Sequence, residues 1–146
     1  MENTQHIWNG IDFDKVTDEK SPFDFLKEVV DNLEKATAGI LKNEIESING
    51  YIGEDLTSVK FGNIYYFYVV APNLAGFRRK LLTVISEFGT FPVNIYCNVD
   101  KESLMGITSS DFLGKIQYFL SKESVKSTVL SLYKESQPIR NVTTHN

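Results

Sequence analysis

The chain has 146 residues, 42% hydrophobic and 23% charged, with 15 basic and 19 acidic side chains. That is material for one ordinary domain of about 100–150 residues, able to bury roughly two-thirds of its unfolded surface without disulfides or a metal. A net charge of −4 argues against a dedicated nucleic-acid binder, and no apolar run reaches the roughly 18–20 residues of a membrane helix. Met1 opens a polar stretch rather than a signal peptide, and the single Cys97 cannot make an internal disulfide. A cytoplasmic protein with no membrane or nucleic-acid partner and no cofactor is the expectation.

Residues 1–20 show neither helical nor strand spacing. They read as an arm in which Trp8 and Phe13 serve as packing anchors among Asp12, Asp14, Asp18 and Glu19. The first predicted helix runs from about 22 to 38. Ser21 can cap it, Pro22 suits the first helical position, and Asp24 places a carboxylate at the helix start. Phe23, Leu26, Val30, Leu33, Thr37 and Ile40 recur at three- and four-residue steps, and Gly39 offers a left-handed stop.

The period then changes. Lys42, Glu44 and Glu46 alternate with Leu41 and Ile45, which predicts a strand over 41–48 with one wet face. A loop around Asn49–Asp55 leads to Val59–Val70, whose Ile64–Val70 core is the strongest strand signal in the chain. Large side chains on both of its faces predict a central strand, with helix on one face and further structure on the other. Pro72 ends it.

Residues 74–88 fit two readings. Leu74, Phe77, Leu81, Val84, Ile85 and Phe88 make a helical stripe, whereas Gly76, the β-branched run Thr83–Ile85 and the alternation of Phe77, Leu81 and Ile85 favour strand. Strand over 78–86 is preferred, joined through Phe88–Thr90 to another over Phe91–Val99 with Val93, Ile95, Cys97 and Val99 on one side. Two helices close the domain. One starts near Ser109, Ser110 and Asp111, and the other follows a break and new cap at Ser121. Residues 137–146 read as a frayed tail, leaving one domain over 21–136. The predicted class is α+β: a four-stranded, mainly antiparallel sheet with one N-terminal and two C-terminal helices packed on it.

Two stretches, Ser21-Pro22-Phe23 through Leu26, Leu33, Thr37 and Gly39, and Tyr66–Leu74 leading to Phe77 and Leu81, carry a likeness. With the end helix near Phe112–Leu132 they resemble a group of small single-domain bacterial proteins of uncharacterised function, over roughly residues 21–135. The resemblance implies a strand at Phe77–Ser86 and implies no site. The chain departs from that pattern at Arg78-Arg79-Lys80, where an aromatic is expected.

The search for chemistry returns little. No glycine-rich phosphate loop, HExxH or serine elbow is present. His6 and His145 sit near the termini, where a general base is hard to hold in place. Cys97 shares the phase of Val93 and Ile95, so it reads as a small core hydrophobe rather than a nucleophile. Asp12 and Asp14 lack the glycine and distal glutamate of a calcium loop.

The remaining candidates for ligand or partner binding are Arg78, Arg79, Lys80, Tyr66, Tyr68, Glu44 and Glu46. On a strand Arg78 and Lys80 share one face and Arg79 takes the other. Charges that keep an edge strand from self-pairing are the plainer reading of that cluster. Glu44 and Glu46 could in principle act as a carboxylate pair, but a solvated strand face is the simpler account.

Charge is uneven along the chain. Residues 1–58 hold 5 basic and 13 acidic side chains, a net −8, and residues 59–146 hold 10 and 6, a net +4. The preferred expectation is a non-catalytic protein-interaction module presenting acidic surface to a partner, in the manner of a small bacterial immunity or adaptor protein. A homodimer is compatible with the same features. The alternative is a domain or enzyme that binds a small anionic ligand between sheet and C-terminal helices, with tyrosines and Arg78 or Arg79 lining the site.

Overall fold

The computed structural model describes residues 20–52, 60–87 and 91–138. The arm, the anchors Trp8 and Phe13, both histidines, the acidic groups at 12–19 and 54–55 and the 88–90 connection lie outside those residues. A helix α1 (Pro22–Val30) and a short α2 (Asn32–Ala36) precede strands β1 (Lys42–Ile52), β2 (Lys60–Ala71), β3 (Phe77–Glu87), β4 (Val93–Cys97) and β5 (Glu102–Gly106). Helices α3 (Ser109–Leu120) and α4 (Glu123–Glu135) follow. The strands form one antiparallel sheet in the order β1-β2-β3-β4-β5. The class is α+β, with five strands where four were expected. The fifth escaped notice because Leu104 and Met105 are adjacent apolar residues, which blurs a two-residue alternation. It is entered by a tight turn in which Lys101 adopts φ 58° and its N–H donates to the Cys97 carbonyl at 2.8 Å.

Local chemistry sets the helix ends. The Asp24 N–H donates to Ser21 Oγ (3.3 Å) and the Ser21 N–H to Asp24 Oδ2 (2.9 Å), a reciprocal capping box. The single helix expected over 22–38 is interrupted at Asp31. There Asn43 of β1 donates its side-chain N–H to the Val30 carbonyl at 3.1 Å, and a group reaching into the helical ladder is a recognised cause of such breaks. Buried Thr37 then ties helix to sheet: its hydroxyl donates to the Leu33 carbonyl at 3.0 Å and accepts from the Leu41 N–H at 3.1 Å. Gly39, at φ 82°, ends the segment as expected. At the C-terminal helices, Thr108 rather than Ser109 is the N-cap of α3, and Ser121 is its C-cap rather than the cap of α4, which is Lys122.

The ambiguous 74–88 segment is strand, and a bulge explains its mixed signal. Phe67 faces Leu82 while the next residue, Tyr68, faces Lys80, so Leu81 is an extra residue in β3. Leu81 and Leu82 are both fully buried. After the bulge the phase flips, which puts Ile85 on the face opposite Leu81 and Leu82.

Among the described residues, helices α1, α3 and α4 pack on one side of the sheet. Phe67, Val69, Leu82, Val84, Ile95 and Cys97 face Leu26, Val30, Phe112, Ile116, Phe119 and Val125 in one contiguous core. Cys97 is 0% exposed, in line with its expected core role. No helix among the described residues is long and apolar enough to cross a membrane.

Candidate functional site

The other side of the sheet differs from expectation. Tyr66, Tyr68 and Val70 of β2 point to a face on which none of the described helices packs, so the further cover expected there is missing among the described residues. Strand register arranges that face in cross-strand rows. Ile48, Ile64, Ile85, Asn94 and Met105 form one row across all five strands. Glu46, Tyr66, Thr83, Tyr96 and Ser103 form the next. Glu44, Tyr68 and Lys80 follow, and then Lys42, Val70 and Arg78. Polarity therefore runs along the strands from aliphatic, through aromatic, to charged. With neighbouring strands about 4.8 Å apart, the platform is roughly 20 Å wide.

The charged end is a built cluster. The Arg78 guanidinium lies 4.0 Å from the Tyr68 ring centroid, and Lys80 Nζ lies 3.9 Å from that of Tyr66 and 5.7 Å from that of Tyr68. Each cation is held by the negative face of a ring. Arg78 also donates to Glu44 across the sheet, and that hydrogen bond holds the guanidinium pKa above its ordinary value. The charge halves of the sequence are thus brought together here: an acidic residue of β1 is matched by a basic residue of β3. Glu44 presents a compensated charge rather than a bare acidic surface, and so exposed a pair adds little to stability.

Six of the seven expected site residues, Glu44, Glu46, Tyr66, Tyr68, Arg78 and Lys80, meet on this face. Arg79 does not; it has the opposite phase, beside Val69. β3 is third of five strands rather than the edge strand expected for Arg78–Lys80, though β4 pairs only with Leu82–Ser86, so among the described residues Phe77–Lys80 pairs with β2 alone. The cations also occupy the tyrosine faces that a nucleobase would need for stacking.

Sequence reasoning missed the aliphatic and aromatic remainder: Ile48 (44% exposed), Met105 (48% exposed), Ile64, Ile85 and Tyr96. The available signal was Ile48 itself, an apolar residue in phase with Glu44 and Glu46 on the wet face of β1.

The space between sheet and helices is of another kind. An apolar cleft of about 450 Å³ lies between α1–α2 and α4, floored by Phe67 and Leu81. The tyrosines and arginine expected to line such a site are elsewhere: Tyr66, Tyr68 and Arg78 lie across the sheet, and Arg79 is not in the lining. A third cluster, unforeseen, fastens the β4–β5 turn to the start of α4. Lys122 Nζ is 2.9 Å from carboxylate oxygens of both Asp100 and Glu102 and 4.8 Å from the Tyr118 ring. The hydrogen bond from Lys122 holds the Asp100 carboxyl below its usual value, and the two carboxylates raise Lys122 well above that of an ordinary lysine.

Among the described residues no group of three or more His, Cys, Asp or Glu side chains is placed to hold a metal ion. Comparison with family models, curated proteins and solved structures yields no significant match.

Proposed function

We propose that the chain is a protein-interaction module whose contact surface is the open face of the sheet. The observation that carries this reading is the row Ile48–Ile64–Ile85–Met105, aliphatic across four of five strands and uncovered by any described helix. Exposed apolar surface edged by polar groups, here Asn94 within the row and Glu46 in the next, marks contact sites in soluble proteins. In the next row Tyr66 and Tyr96, and at the charged end Arg78, are of the residue types that dominate binding energy at interfaces. The row would seat apolar side chains of a partner protein, while Glu46 and Lys80 set its orientation and reject mismatched charge. An immunity or adaptor role, in which a small domain covers a site on a larger protein, is the concrete form of this reading.

The test is affinity capture from the native host with three baits. The wild-type chain and Leu130→Glu, altered on the helical side, should recover the same stoichiometric protein, and Ile85→Glu should lose it. Equal recovery by all three baits would place the contact elsewhere.

A further inference from the structure

The cleft on the helical side carries a separate inference. Its floor is Phe67 and Leu81, its walls are Val29 and Leu33 on one side and Val129 and Leu130 on the other. The cleft is open to solvent, and an apolar occupant would take its apolar walls out of water. Water is a poor filler, since an ordered water needs two to four polar partners. Here the only polar lining residues are Asn32 and Lys126. The cleft therefore suits an apolar occupant.

Its volume, about 450 Å³, falls in the ~300–1,000 Å³ range of small-ligand sites. At about 30 Å³ per methylene, similar to the share of a liquid water, a chain of ten to twelve carbons takes up roughly 300–360 Å³ and is within that volume. Charge selects the head group. Lys126 is the one charged side chain in the lining, and among the described residues no carboxylate forms an ion pair with it.

We infer that the cleft binds a medium-chain aliphatic carboxylate, its chain against Phe67 and Leu81 and its carboxylate at Lys126. The site is independent of the open face, and so is its test. Octanoate, decanoate, dodecanoate and dodecanol are titrated into the full chain by calorimetry, below their micelle concentrations. Expected is saturable binding of one molecule per chain, tightening about fourfold per added methylene, with dodecanoate preferred over dodecanol. Lys126→Gln should abolish that preference and keep the chain-length dependence. Val129→Trp should remove binding by filling the cleft, and Leu130→Trp, at a residue already 63% exposed, should weaken it with the fold intact. Absence of saturable dodecanoate binding, affinity independent of chain length, or unchanged binding by both tryptophan variants would overturn the inference.

Discussion

Phe67 and Tyr68 are neighbours in β2, yet Phe67 is 2% exposed beneath the helices while Tyr68 stacks on Arg78 at the surface. The same contrast holds through the middle of the sheet, where Val84 and Ile95 are buried and their neighbours Ile85 and Tyr96 are not. One face is closed by α1, α3 and α4 around an aliphatic and aromatic core. The other keeps comparable apolar groups, Ile48, Tyr96 and Met105, in reach of solvent. Burial against helices accounts for stability on the closed face. No described helix covers the open face, and the proposed function places the partner contact there.

Breaking the closed face should have the largest effect. Phe112 is 0% exposed and packs edge-on to Phe91 at 5.6 Å. Phe112→Ala is expected to cost about 3–5 kcal/mol in denaturant unfolding. Met105→Ala, on the open face, should fall within about 0.5 kcal/mol. Equal costs would erase the distinction between the faces.

Gly106 gives a sharper probe of the closed side. A Cβ there would lie 3.1 Å from the Phe112 Cα and 3.2 Å from its Cβ. Gly106→Ala should therefore push α3 off the end of β5 and cost about 1–3 kcal/mol, read from the shift in urea midpoint. A smaller loss, about 1 kcal/mol, is expected for Ser21→Ala, which removes the acceptor of the α1 capping box.

Acid should act through the helical side as well. The Asp111 carboxyl accepts from the Ile107 N–H and then from Lys115, and both lower its pKa; Asp100 is lowered chiefly by Lys122. A depressed folded value means stabilisation that is complete above the unfolded carboxylate pKa near ~3.9 and is lost as pH falls through the folded value. The urea midpoint should hold steady down to about pH 5 and drop below about pH 4. Asp111→Asn should flatten part of that drop, and an unchanged acid limb would contradict the assignment.

How much of this was legible in sequence follows from the range of each interaction. Ser21, Pro22, Asp24 and Gly39 act within a turn of themselves, so the start and stop of the N-terminal helical segment could be read directly. Its interruption could not, because the agent, Asn43, arrives from β1. The bulge at Leu81 produced a stripe that suited helix and strand equally, and only pairing with β2 resolves it. Arg78, Lys80, Tyr66 and Tyr68 stood out by composition, and strand phase joined them. The row of Ile48, Ile64, Ile85 and Met105 was hidden because it exists only through register, contributed by residues from four strands. The acidic and basic halves likewise read as separate until Glu44 and Arg78 met across Tyr68.

The claim that the open face is the contact surface has a direct test. A photo-reactive amino acid is placed at Ser103, exposed on the open face, or at Gln117, exposed on α3, and irradiated in the native host. The Ser103 variant should give one discrete cross-linked species of defined added mass, and the Gln117 variant none. Adducts of the same mass from both positions, or from Gln117 alone, would contradict the assignment of function to the open face.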